Sequence, residues 1–258
     1  MPNEPAPLSV PLGGDHSYLR AVREKYNAIE IWPESDRWLF HVRRWIGECI
    51  GAWTPALGLQ PHSRVLNAGS GNESYNLAPG VVIDCDIADR KLVGMPFGVA
   101  GDLANLPLKT GAVDVCVCVG SVINYIADLP KAIGEIARVM QSRGKLILEF
   151  ESSASLEYLM TPHFARDVSQ VSTYYIYENE NIWVYSEAYV RGLLNAAGFE
   201  VVAENRTHFV APLVHRFSQN IHGAARFCGL DRWARRIPWL NRHSANVIYL
   251  CEQRRHAA

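Results

Sequence analysis

Nowhere in the 258-residue chain do apolar residues run uninterrupted for anything close to the ~20 positions that a bilayer span requires. A C-x-x-C pair is also missing. The six cysteines (Cys49, Cys85, Cys116, Cys118, Cys228, Cys251) show no spacing of the kind zinc uses, so no metal is expected. Cys116 and Cys118 stand in an apolar run, where cysteine acts as a small buried hydrophobe, and a reducing, cytoplasmic compartment is expected. An excess of either charge is lacking too, with 25 Lys and Arg against 26 Asp and Glu, which argues against nucleic acid as the main partner. The first residues (MPNEPAPLSVPLGG) have neither the basic start nor the apolar core of a signal segment, and 1–14 reads as a flexible tail. Internal repeats and low-complexity tracts are absent.

What is present is a change of periodicity. Between residues 36 and 53, Trp38, Val42, Trp45, Cys49, Ile50 and Trp53 recur at steps of three and four, which predicts a helix with one apolar stripe. An earlier helix is expected around Tyr18 to Ile29, and the two make a helical cap over 15–60. From residue 63 onward, short β-rich runs (63–67, 80–86, 112–119, 144–150) alternate with helical segments. Fully apolar strands separated by helices imply a parallel sheet covered on both faces. Asp128 and Pro130 open a helix whose buried face carries Ile133, Ile136, Ala137 and Met140, and Gly144 closes it. A hairpin with an Asn-rich turn is expected over 170–186, then a helix from Glu187 to Ala197 stopped by Gly198. Strands over 199–208 and 246–252 complete the pattern.

In such a sheet, ligands bind beyond the carboxyl ends of the strands. The first strand ends in Asn67-Ala68-Gly69-Ser70-Gly71, where two glycines would bring backbone amides close to a ligand at the start of a helix. The second ends in Asp86, placed to accept both hydroxyls of an adenosine ribose. A dinucleotide or another adenosine cofactor would satisfy these two signals equally. The dinucleotide fingerprint G-x-G-x-x-G then fails, because Ser74 stands where its third glycine belongs.

The stretch GDLANLPLKTGAVDVCVCVG over 101–120, followed by SVINYI over 121–126 and EIARVMQSRGKLILE over 135–149, resembles the class I S-adenosylmethionine-dependent methyltransferases. The resemblance covers about residues 60–208, and its most specific part is G-D-x-x-x-L-P. It implies a Rossmann-like α/β fold: a seven-stranded, mostly parallel sheet with helices on both faces and a reversed last strand. It also implies S-adenosyl-L-methionine as cofactor and S-adenosyl-L-homocysteine as product. Gly69, Ser70 and Gly71 would pass under the methionine portion, Asp86 would hold the ribose, and Asp102 with the Leu103 amide would read the adenine edge. Gly120 would line the cofactor, and Tyr26 would cover it from above. Two positions depart from the family: Asn67 replaces the usual acid, and Glu73 stands where a glycine is common. Asn67 would still accept a hydrogen bond through its carbonyl oxygen, and Glu73 would supply the missing charge toward the ammonium.

Methyl transfer needs alignment of nucleophile and methyl, and a base only where the acceptor is protonated. Glu151, His163 and His208 are the catalytic candidates. Ser121, Asn124, Tyr125, Tyr174, Tyr175 and Trp183 are the candidate substrate contacts, although the hairpin aromatics equally suit cross-strand pairs. The domain is expected over 61–258, with insertions at 152–186 and 212–243. The second insertion sets Arg216, Arg226, Arg232, Arg235, Arg236 and Arg242 against Asp231 alone. A solvated helical cap is favoured over an anion site or a membrane-surface contact. The expected function is methylation at O or N of a small-molecule acceptor such as a natural product, sugar or lipid-like compound. The alternative is a catalytically silent relative that binds an adenosine ligand or a protein partner. The oligomeric state is not readable from the sequence.

Overall fold

The computed structural model describes residues 16–175 and 178–254. Its strands are β1 (Arg64–Ala68), β2 (Val81–Asp86), β3 (Gly98–Ala100), β4 (Val113–Cys118), β5 (Met140–Glu151), β6 (Val168–Tyr175), β7 (Glu178–Tyr185), β8 (Phe199–Thr207) and β9 (Asn246–Gln253). Seven of them form one sheet in the order β3-β2-β1-β4-β5-β9-β8, while β6 and β7 pair apart as a hairpin. Only β9 runs against its neighbours, so the reversed last strand is present.

Period-two alternation divides the core between the two faces. From β5 and β9, Leu146, Leu148, Phe150, Val247, Tyr249 and Cys251 join one cluster, which α3 (Leu129–Val139) and α4 (Glu187–Ala196) cover with Ile133, Ile136, Val190 and Leu194. Ile147, Ile248 and Leu250 point the other way, together with Val115, Val117 and Val119 of β4 and its end. That second face is covered by α2 (Arg37–Leu57), capped by Asp36, whose carboxylate accepts from the amides of Trp38 and Leu39. Trp45, Ile46, Cys49 and Ile50 are its buried stripe. Thus α2 lies on the sheet itself, whereas α1 (His16–Ala28) lies at the sheet edge and is tied through Arg23 and Asn27 to Asp89.

Three local expectations are corrected. No helix follows the glycine loop: residues 69–80 cross from β1 to β2 as irregular chain, because NESYNLAPG carries no helical period and holds a proline. The face a crossover helix would cover is the one α2 occupies. The helix after Asp128 ends at Val139, with Met140 already in β5. Gly144 therefore closes no helix; an added Cβ there would meet the Asp114 carbonyl oxygen at 2.9 Å, so it is required for close strand approach. In the hairpin, the Asn-rich segment belongs to β7, in register with β6. The expected tail over 1–14 lies outside the described residues.

Candidate active site

A cleft opens at the carboxyl ends of β1, β2 and β4. Its floor is the loop after β1, where Gly69 and Gly71 have φ of +71° and +52°, a region in which side chains are strained. A Cβ on Gly69 would stand 2.4 Å from Val122 Cγ2, and one on Gly71 would stand 2.5 Å from Ile31 Cδ1. The glycines therefore supply close approach. They do not supply free amides: the Gly69 and Ser70 N–H groups donate to the Cys85 carbonyl at 2.7 and 3.2 Å, and Gly71 N–H donates to Asp86 Oδ2 at 2.7 Å.

Asp86 also accepts from the Ala88 amide at 2.7 Å, and burial raises its pKa against the pull of those amides. Two carboxylate oxygens have about four acceptor positions, so these amides leave room for a ribose hydroxyl. Asp102 and Leu103 lie on the same wall with Ile87 and Gly101. Asp102 shapes its own turn, accepting from the Ala104 amide at 2.9 Å.

Gly120, with φ of +85°, closes the far side of the cleft below Trp32. It is held by Glu149, a wholly buried carboxylate that accepts from the amides of Gly120 (2.9 Å) and Ser121 (2.6 Å) and from Asn246 Nδ2 (2.9 Å). Sequence reasoning gave Glu149 no role. Its signal was a charge inside an apolar strand, which a buried site tolerates only with such donors. Ile31, Trp32, Tyr75 and Leu19 also line the cleft and were not anticipated.

Above Gly120, Ser121 Oγ donates to Glu151 Oε1 at 3.2 Å. Burial, then the neighbouring Glu157 and Glu149, push the Glu151 carboxyl up to about 8. Tyr26 and Tyr125 meet edge to face at 5.4 Å between ring centroids, and both line the cleft.

The remaining candidates fall elsewhere. Asn67 is outside the lining: its Nδ2 donates to the Glu73 carbonyl and to Asp84 Oδ1, both at 2.9 Å, so it holds the loop from beneath. Glu73 lines the cleft, but its carboxylate pairs with Arg43 of α2 at 2.8 Å. Asn124 is fully buried and latches β5 to β7, donating to the Trp183 carbonyl (2.6 Å) and accepting from the Glu151 amide (3.0 Å). Trp183 belongs to the core. Tyr174 and Tyr175 lie on β6, with their side chains outside the described residues. His163 contacts Ser169 Oγ at 2.7 Å and lines a separate depression with Glu157, His215 and Arg216. His208 is sealed in the core between Trp38 and His41, where burial, then His41, lowers its pKa to about 4. Neither histidine reaches the cleft. Among the described residues, no group of three or more His, Cys, Asp or Glu could hold a metal ion.

The cleft fits an adenosine-and-methionine ligand on its own terms. Ser70 Oγ lines it, buried and without a hydrogen-bond partner among the described residues, and is available to such a ligand. Asp86 would take the ribose and the glycine floor the methionine portion. Ile87, Leu103 and Val122 offer apolar contact to a base.

Residues 66–148 match a family described as a methyltransferase domain. The chain is 26% identical over 113 residues to a malonyl-[acyl-carrier protein] O-methyltransferase of Serratia marcescens, covering 38% of this chain and 42% of that relative. The match thus spans less than half of the relative's length. In fold, the chain is similar to the 1,6-didemethyltoxoflavin-N1-methyltransferase of Burkholderia thailandensis, solved with 1,6-didemethyltoxoflavin and S-adenosylhomocysteine (TM-score 0.58, 14% identity, 97% of this chain and 95% of that one). It is likewise similar to the magnesium protoporphyrin IX methyltransferase of Synechocystis PCC 6803, solved with bound cofactor (TM-score 0.57, 16% identity, 92% and 97%).

Proposed function

We propose that the chain is a class I S-adenosylmethionine-dependent methyltransferase that moves a methyl group from S-adenosyl-L-methionine to an oxygen or nitrogen of a small-molecule acceptor, a reading supported by the methyltransferase-domain match over residues 66–148 and by the shared fold. The observation that carries this reading is the single cleft that gathers Gly69, Ser70, Gly71, Asp86, Asp102, Leu103 and Gly120 beneath Tyr26 and Tyr125. Of the three proteins above that it is similar to, one is named an O-methyltransferase and one an N1-methyltransferase, which supports those two acceptor atoms as the class.

When bound, the cofactor supplies an electrophilic sulfonium methyl; the chain's task is to orient the acceptor and exclude water. Glu149 fixes the Gly120–Ser121 turn, and so the wall facing the reacting groups. The Tyr26 and Tyr125 rings roof the cleft. Glu151 lies just behind the cleft lining, bonded to Ser121 next to Gly120, and we assign to it proton removal from an acceptor that must lose one, since a carboxyl pushed up to about 8 exchanges protons near neutrality.

Calorimetric titration with S-adenosylhomocysteine tests the site. Asp86→Ala removes the acceptor proposed for the ribose and is expected to weaken binding by at least tenfold, about 1.4 kcal/mol. Glu73→Ala breaks an ion pair with Arg43 and is expected to cost less. Equal or reversed losses would remove Asp86 from the ribose role, and absence of binding by the unmodified protein would overturn the reading.

A further inference from the structure

The segment between β8 and β9 folds as α5 (Val210–Ser218), α6 (Ile221–Ala224), a 3-10 stretch (Ala225–Leu230), α7 (Asp231–Ala234) and α8 (Pro238–Asn241). Its inward stripe is Ala224, Ala225, Cys228, Asp231 and Ala234, all buried. The outward stripe, offset by the same steps of three and four, is Phe227, Leu230, Trp233 and Ile237, continued by Trp239. Trp233 and Trp239 are each 56% exposed. A solvated helical surface carries polar residues with paired charges at such positions; this one carries large apolar side chains.

The charge is equally one-sided. Arg226, Arg232, Arg235, Arg236 and Arg242 are exposed, and none has an ion-pair partner among the described residues. The one acid of the segment cannot balance them. Asp231 is 2% exposed and faces inward, accepting from Thr207 Oγ1 (2.8 Å) and from the amides of His208 (2.6 Å) and Phe209 (3.1 Å). Arg232 and Arg236 lie over the Trp233 ring at 5.5 and 5.2 Å from its centroid.

We propose that this face docks on an anionic lipid surface. Short helical turns with interleaved arginine, tryptophan and aliphatic side chains suit the headgroup region, where the rings and chains enter the apolar boundary and the guanidinium groups meet phosphate. A nucleic acid would engage the arginines but would leave Leu230, Phe227 and Ile237 unrewarded. Topology adds a consequence. Because β8 runs parallel to β5, the segment leaves and re-enters the sheet at its carboxyl edge, where Asn246 pairs with both Thr207 and Glu151. Docking would therefore bring the cleft's end of the sheet toward the membrane, the source of a lipid-soluble acceptor.

The test is co-sedimentation of the full chain with neutral phosphatidylcholine vesicles and with vesicles containing phosphatidylglycerol. Vesicle binding needs no cofactor, so its failure is distinguishable from failure of methyl transfer. Binding is expected to the anionic vesicles only, and to weaken with salt. Neutralising Arg232, Arg235 and Arg236 to Gln is expected to weaken it by roughly fivefold per arginine. Replacing Trp233 and Trp239 by Phe should remove most of the fluorescence quenching that brominated lipid produces in the unmodified protein. No binding to anionic vesicles, equal binding to neutral ones, or binding without quenching would overturn the proposal. The last outcome would assign the face to a soluble polyanion or a protein.

Discussion

Asn67 shows how one side chain is explained by its neighbour across a strand. Registers pair Asn67 of β1 with Asp84 of β2, and the amide donates to the Asp84 carboxylate at a site where the two residues are 2% and 5% exposed. The carboxylate that the resemblance leads one to expect at the end of β1 is here one strand over. An Asp at position 67 would set two carboxylates against each other and leave the Glu73 carbonyl without its donor. Asn67→Asp is therefore expected to destabilise the fold by about 1–3 kcal/mol in urea unfolding. Adding Asp84→Asn should restore most of that loss, since the pair is then reversed. Simple additivity of the two single losses would show that the residues are not coupled. Asn67 was legible as a departure, but Asp84, which gives it meaning, was not, because the register depends on strand pairing.

The junction of α2, β8 and α7 is the element-scale counterpart. Thr207, His208, Phe209 and His41 converge on Asp231, whose pKa lies below its ordinary value: burial raises it, and the bonds from His41 and its neighbours more than compensate. His208 sits beside it as a neutral ring, with Nδ1 at 2.9 Å from Asn246 Oδ1. Its folded pKa of about 4 lies below the ordinary 6.5, so protonation favours the unfolded chain. The stability is whole above pH 6.5 and is lost as pH falls toward 4, by an amount on the order of 3 kcal/mol. His208→Asn, which cannot titrate, should flatten thermal stability across that window. An unchanged slope in the variant would assign the acid loss to other groups. In the sequence His208 was a histidine at a strand end, and only the packing of Trp38 and His41 on it removes it from catalysis.

Over the whole molecule, the two N-terminal helices differ in what holds them. α2 buries a stripe of Trp, Ile and Cys side chains against four strands, whereas α1 is held by polar contacts: Arg23 and Asn27 to Asp89, Lys25 to Glu180, and Lys91 to the Ile29 carbonyl. Yet α1 supplies Leu19, Val22 and Tyr26 to the cleft wall. An element fixed mainly by polar contacts, the Arg23–Asp89 pair among them exposed, opens at lower cost than one buried on the sheet. Hydrogen exchange in α1 is thus expected to be fast in the free protein and to slow markedly with saturating S-adenosylhomocysteine, while α2 changes little. Equal protection of both helices without ligand would show that α1 is no mobile cover. The runs that became β1, β2, β4, β5, β8 and β9, and the placement of Gly69, Gly71 and Asp86, were legible in the sequence, because alternation, glycine placement and strand-end acids are local consequences of backbone geometry. The reversed last strand and the places of Tyr26, Asp102, Leu103 and Gly120 were legible only through the family resemblance, and Leu19, Ile31, Trp32 and Tyr75 of the cleft not at all. The tertiary structure decided that α2 replaces a crossover helix, that Glu149 anchors Gly120, and that His208 is core. Each of these depends on which distant segment fills a given volume, and local periodicity carries no record of that choice.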